Sequence, residues 1–378
     1  MKKILLFLSS FLPLAAFAQL SGDGYYRIQN YASERYITIT DDVIAEISKP
    51  SDIDVNNLTT WKGFDNVKSN PASIFLIEAV GDKYNISGQG ISVHKITGGK
   101  AYVNINKRAE GIYQLSASAS QGGVSVTKIL YDATSDDEYD YVRTDGNVQA
   151  YQYWYIKPID EADNYIGITP TIQTNDGWYG TIYASFPFKF ASTGMTAYYV
   201  DGVHTGQFQL KEITDEIKPA ATPMIIKCSS NDAAQNKITP VIATTTAPTD
   251  NLLGGTYFAS SLAKHIARVE YNSNKMRVLG KDANGDLIFT TATQTYLTKK
   301  KYIPKNTVWL NVPAGLTGDF KLVSRGTYSG INDTKVSAKK TSRKGTYTLS
   351  GVPVDDTYGL RPGVYIKNGE KIVIKRDK

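Results

Sequence analysis

The sequence predicts an all-β chain in several modules, and three observations predict it. Tyr is abundant at 26 residues against 4 Met, with frequent Gly and Thr, a composition that suits pleated strands and turns. Short runs alternate apolar and polar residues with period two, and Gly, Asn or Asp punctuate them. A sustained helical period is missing; Asp52–Lys68 is the best candidate for a short helix or irregular insertion.

Residues 1–18 read as a signal peptide. Lys2 and Lys3 open it, Ile4 to Leu14 is apolar apart from Ser9, Ser10 and Pro13, and Ala16-Phe17-Ala18 supplies the small-x-small cleavage pattern. The apolar run is too short for a permanent bilayer span, and no later stretch is long and apolar enough to be a transmembrane segment. No cysteine stands near the cleavage point to carry a lipid anchor. An exported location, extracellular or on the outer cell surface, is expected. Cys228 is the single cysteine, so no disulfide forms within the chain and stability must come from buried apolar area.

Charge is uneven along the chain. Residues 19–160 hold 13 Lys and Arg against 18 Asp and Glu, residues 161–330 hold 16 against 13, and residues 331–378 hold 11 against 5. The basic excess therefore belongs largely to the tail. A nucleic-acid groove needs a basic stripe within a folded domain, and the first module is acidic. Nucleic acid is not expected as a partner.

Residues 19–160 form the first module. Tyr26-Arg27-Ile28-Gln29-Asn30 and Tyr36-Ile37-Thr38-Ile39-Thr40 read as a hairpin around Ala32–Arg35. Further strands are predicted at Ile74–Ala79, Tyr84–Ser87, Ile91–Lys95, Ala101–Ile105, Ile112–Ala117, Val124–Tyr131 and Trp154–Ile159. Such closely spaced strands point to a barrel or sandwich. Asp23-Gly24-Tyr25-Tyr26-Arg27-Ile28-Gln29-Asn30 with Arg35-Tyr36-Ile37 resembles the opening strands of ricin-type β-trefoil modules. Those modules close each of three lobes with a Gln-x-Trp strand; Gln152-Tyr153-Trp154 fits the third closure, while the first two, at Ser73–Leu76 and Gly111–Leu115, lack the motif. The resemblance implies a β-trefoil and sugar binding.

Residues 161–330 read as a β-sandwich-like region of one or two units. Residues 215–228 and 299–312 each place a Pro-containing turn before an apolar strand, a weak internal repeat. Between them, Met276–Leu279 and Leu287–Thr290 flank Lys281–Asp286, a hairpin with Asn284-Gly285 at its tip. Segments 181–188 and 217–226 resemble modules of Bacteroidota-type exported proteins. Residues 331–344 are a polar linker. Residues 345–378, from Gly345-Thr346-Tyr347 to Leu360-Arg361-Pro362-Gly363-Val364-Tyr365-Ile366 and Lys371-Ile372-Val373-Ile374-Lys375, resemble the sorting domain of type IX secretion substrates. That resemblance implies a small C-terminal β element read by the secretion machinery.

For chemistry, the pattern favours binding over catalysis. Cys228 follows an apolar strand, the imidazoles are His94, His204 and His265, and Gly-x-Ser-x-Gly is absent. No His-x-x-x-His or Cys-x-x-Cys spacing marks zinc, and no cofactor motif is present. Asp132 with Asp136, Asp137, Glu138 and Asp140, and Asp282 with Asn284 and Asp286, could offer oxygen ligands to calcium but read better as solvated loops. No carboxylate pair is marked for glycoside hydrolysis. The candidate ligand-binding residues are Asp145, Asn147, Tyr151, Gln152, Tyr153 and Trp154, because aromatic rings stack on sugars while amides and carboxylates bond their hydroxyls. Strict alternation puts Tyr151, Tyr153 and Tyr155 on one face and Gln152 and Trp154 on the other, where Trp154 would fill a core. The expected function is recognition of a glycan or an extracellular protein; a secreted glycosidase or cysteine peptidase, or a structural surface component without a small ligand, are the alternatives.

Overall fold

The computed structural model describes residues 20, 22–39, 58–89, 91–92, 102–134, 139–147, 149–256, 269–298, 300–323, 346–348, 353–354, 363–367 and 370–374. The signal peptide, the 331–344 linker, His94, His265 and Asp136–Glu138 lie outside these residues. The described residues are all-β, with 3₁₀ turns and no α-helix among them. No described helix is long and apolar enough to cross a membrane. The chain divides into two units, Met1–Tyr328 and Ser329–Lys378.

The first region of the larger unit contains β1 (Gly24–Asn30), β2 (Tyr36–Ile39), β3 (Leu58–Trp61), β4 (Phe75–Val80), β5 (Lys83–Gly88) and β6 (Ile91–Ser92). It continues with β7 (Asn104–Ala109), β8 (Ile112–Gln121), β9 (Val124–Asp132), β10 (Tyr139–Asp145) and β11 (Tyr153–Pro158). Antiparallel pairing runs β1–β2–β3–β10–β9–β8–β11 and returns from β11 to β1, so the strands form a closed circuit. Closure removes the free edges that would otherwise invite aggregation. Inside it, Ile28, Ile37, Leu58, Leu115, Leu130, Val142 and Trp154 are buried.

Two segments depart from the expected pattern. Leu58–Trp61 is a strand, and among the described residues of the suspected helical insertion only Phe64–Asn66 winds into a 3₁₀ turn. Tyr139–Asp145, whose Asp140 belongs to the acidic segment expected as a solvated loop, is a strand seated between β3 and β9. Its pairing with residues some eighty positions away is invisible to a local pattern.

The second region starts with β12 (Ile166–Gly167), β13 (Ile172–Thr174), β14 (Gly177–Ile182), β15 (Phe188–Phe190), β16 (Thr196–His204), β17 (Gln207–Glu212) and β18 (Met224–Cys228). It ends with β19 (Lys237–Pro240), β20 (Leu253–Thr256), β21 (Met276–Lys281), β22 (Leu287–Thr290), β23 (Thr307–Asn311) and β24 (Phe320–Leu322). One sheet runs β13-β14-β18-β16-β17-β24-β22-β21-β23-β20, its two halves joined by the parallel β17–β24 pair. A smaller sheet runs β12-β19-β15. Each copy of the internal repeat ends in a strand flanked on both sides, β18 by β14 and β16, β23 by β21 and β20. The halves also meet at their hairpin tips, where Asn175 donates its backbone N–H to the Gly285 carbonyl (3.0 Å) and its Nδ2 to the Asn284 carbonyl (2.6 Å). Gly255 on β20 lies under the Tyr183 ring, and a Cβ there would stand 2.6 Å from Tyr183 Cγ.

The two regions are bolted together by Arg27, which is completely buried. Its guanidinium donates to Ser73 Oγ (3.2 Å), Asn164 Oδ1 (2.7 Å) and the carbonyls of Val67 and Tyr165 (both 3.2 Å). Phe64 lies under it at 5.1 Å. Asn164 is oriented by its own amide, which donates to the Lys157 and Pro158 carbonyls. Burial lowers the Arg27 pKa to about 10, which leaves it charged at neutral pH. The Arg of the opening Tyr-Arg-Ile is therefore an architectural cation.

In the smaller unit, β25 (Thr346–Thr348), β26 (Pro353–Val354), β27 (Gly363–Lys367) and β28 (Glu370–Ile374) form a sheet in the order β26-β25-β27-β28. The β27–β28 pair runs from Gly363↔Ile374 to Lys367↔Glu370. The small β element expected at the tail is a four-stranded sheet among the described residues.

Candidate functional site: a tyrosine shelf on the closed circuit

The last strand of the first region alternates as its sequence requires. Trp154 is 0% exposed, with its indole N–H donating to the Leu130 carbonyl at 3.2 Å. Gln152 is buried and accepts from Gln114 Nε2 at 3.0 Å. Neither side chain is free to touch a ligand, so the two most motif-like candidates serve the interior. Arg108 in turn holds Gln114 Oε1.

The opposite face of the same stretch is open. Tyr151 is 39% exposed and Tyr153 37%, and Tyr31 beside them reaches 46%. Tyr31 comes there because β1 and β11 pair to Asn30↔Trp154, after which the Tyr31 N–H donates to the Tyr153 carbonyl at 2.9 Å. Residues directly opposite in an antiparallel pair share a face. Tyr155 continues the shelf: its ring lies 5.4 Å from that of Tyr31, and Lys157 Nζ sits 4.8 Å above it while donating to Gln29 Oε1 at 2.8 Å. The backbone under Tyr151 is left-handed, at φ 58°, and its carbonyl is fixed by Asn30 Nδ2 (2.7 Å) and the Asp132 N–H (3.1 Å).

Asp145 and Asn147 form a local turn, the Asp145 carboxylate accepting the Asn147 N–H at 2.9 Å. Asp132 is buried rather than solvated. It accepts from Ser33 Oγ (2.5 Å), Thr60 Oγ1 (2.9 Å) and the Thr134 N–H (3.3 Å), tying the 31–35 loop to β3 and β9. Reading Asp132 as part of a solvated loop is thus corrected by its burial. Asp282 accepts the N–H groups of Asn284 and Asp286 and the Lys321 ammonium, the last at 2.7 Å, so its oxygens serve the hairpin tip. Among the described residues no three His, Cys, Asp or Glu gather as a metal site.

The Cys228 thiol faces the Ile226 carbonyl, and burial pushes its pKa up to about 12, far from a thiolate nucleophile at neutral pH. His204 lies on β16, away from that strand position in sequence and pairing with Gln207. An open cleft of about 480 Å³ lies between the β13–β14 and β21–β22 tips and carries Asp176, Asp286, Lys227 and Lys321. Asp176 accepts from the Tyr179 hydroxyl (2.6 Å) and Lys227 (2.9 Å), which hold its pKa below the usual carboxylate value. A general acid requires the opposite shift.

Tyr31 was the shelf residue that local reading missed. The only sequence signal for it is the pairing of the first strand with the last, which depends on ring closure. No protein-family model matches the chain, and no curated protein sequence matches it.

Proposed function

We propose that this chain is an exported, non-catalytic recognition protein that binds glycan through the tyrosine shelf of its first region. In this reading the first region is a β-trefoil, the second a β-sandwich-like scaffold, and the C-terminal β element a sorting signal read by a type IX-like secretion machinery. One observation carries the binding role: Tyr31, Tyr153 and Tyr155 stand together on the outer face of the β1–β11 pair, with Tyr151 exposed in the turn that leads into β11, while the tryptophan next to them is consumed by the core. Half-exposed rings on rigid strands stack on the apolar faces of sugars at little entropic cost. Lys157, held over the Tyr155 ring by Gln29, offers a polar contact beside them.

A glycan array probed with the chain beyond residue 18 tests this. Binding that disappears in a Tyr31→Ala/Tyr151→Ala variant, with the melting temperature kept, is the expected result. A blank array moves the chain to the structural class, and binding that survives the double variant places recognition elsewhere.

A further inference from the structure

A second cleft, of about 320 Å³, lies where the two regions of the larger unit meet, at the small end of the roughly 300–1,000 Å³ usual for small-molecule sites. A relay of side-chain amides runs to its wall, and its direction is set at both ends by backbone N–H groups. The Ser185 N–H donates to Gln89 Oε1 (3.2 Å), Gln89 Nε2 to Asn306 Oδ1 (3.3 Å), and Asn306 Nδ2 to Asn70 Oδ1 (3.3 Å). Asn70 Oδ1 also accepts the Ala72 N–H (3.1 Å), capping the 3₁₀ turn Pro71–Ser73. Both ends being donors to oxygen, each amide has one permitted orientation. The relay therefore leaves Asn70 Nδ2 as the outstanding donor, on a residue only 7% exposed, with no partner among the described residues. Gln89 and Asn306 hold left-handed backbone at φ 50° and 52°, strain that persists where the surroundings over-determine it.

The rest of the cleft matches that donor. The Thr171 and Thr181 hydroxyls line it with no side-chain hydrogen bond among the described residues, and Pro71, Ile168 and Ile182 give it apolar wall. Its charged members are already engaged: Asp65 with Lys68 at 2.6 Å, and Lys305 over the Trp61 ring at 5.6 Å. These two members are of opposite sign, so the cleft favours neither an anion nor a cation. From this geometry we propose that the cleft between the regions binds a neutral sugar ring, its hydroxyls meeting Asn70 Nδ2, Thr171 and Thr181 and its C–H face meeting Pro71, Ile168 and Ile182. This site is separate from the tyrosine shelf and does not depend on it.

Saturation-transfer NMR on the full chain with glucose, galactose, mannose and N-acetylglucosamine tests the proposal. At least one of the four receives transfer and titrates to saturation. Asn70→Asp keeps the acceptor for Ala72 and Asn306 but removes the free donor, and weakens that binding about tenfold, the worth of one hydrogen bond. Thr171→Val, at an exposed position where folding is undisturbed, weakens it several-fold. Tyr31→Ala/Tyr151→Ala leaves it in place even where array binding is lost. Transfer to none of the four sugars, transfer unchanged in both Asn70→Asp and Thr171→Val, or transfer abolished by the shelf variant overturns the proposal.

Discussion

The two regions of the larger unit treat charge in opposite ways. The first buries Arg27 and Asp132 completely and satisfies each with neutral partners: hydroxyls, an amide and backbone groups. The second keeps its charges outside, in the lysine–carboxylate pairs Lys189–Glu216, Lys211–Asp250, Lys227–Asp176 and Lys321–Asp282. Its buried exceptions are Lys218, whose ammonium rests on the carbonyls of Ile213 and Asp215 under the Phe190 ring, and Arg277, whose guanidinium donates to the carbonyls of Gly318, Ser273 and Met276. A closed circuit of strands must fold its long loops back against itself, and a buried charge gathers several loop groups at once. Surface pairs on an open sheet gather nothing and are screened by water. Stability in the first region should therefore hinge on single residues, and in the second on area.

The largest effect is expected at Arg27. Arg27→Met keeps the volume but strands Asn164 Oδ1 and takes the guanidinium from the Tyr165 carbonyl, while Val67 keeps its Asn70 and Ser73 donors; it should cost about 3 kcal/mol in chemical denaturation. A cost under about 1 kcal/mol would erase the contrast between the regions. Asp132→Asn comes next, at about 1–2 kcal/mol, because the Ser33 and Thr60 hydroxyls can rotate to meet an amide. Cys228 sharpens the picture of the second core: Ellman's reagent at pH 8 should find no thiol until denaturant unfolds the chain, since burial both hides it and keeps it protonated.

The smallest effect is expected at the surface pairs. Lys321→Gln should lower the neutral-pH unfolding midpoint only slightly. Its signature lies in acid. The Lys321 ammonium and the Asp286 N–H depress the Asp282 pKa, so this pair's contribution is present above the unfolded carboxylate value, about 3.9, and is lost as pH falls through the lower folded value. That small gap between Lys321→Gln and the parent chain should therefore close as pH falls through the lowered Asp282 value.

How far the sequence reached can be judged at single residues. The alternation at Tyr151–Ile156 was legible and the burial follows it, rings outward and Gln152 and Trp154 inward. The β21–β22 hairpin was legible from Asn284-Gly285, whose glycine holds φ 84°. The strand nature of Leu58–Trp61 and Tyr139–Asp145 was not, because neither shows a clean local alternation and each is made a strand by its partner. Asp132 looked like the head of an acidic loop; only the approach of Ser33 and Thr60 turns it into an anchor. The relay of Gln89, Asn306 and Asn70 joins positions more than two hundred apart and has no trace in composition or spacing.

By itself the sequence determined the all-β character, the placement of turns and which face of each strand is apolar. These follow from side-chain sterics and the period of two, which act within a few residues. Tertiary structure alone decided which strands meet: that β11 returns to β1 and sets Tyr31 beside Tyr153, and that the two regions close a polar cleft between them. Those contacts are chosen by the burial and hydrogen bonding gained across long loops, a balance struck over the whole chain and written in no single segment.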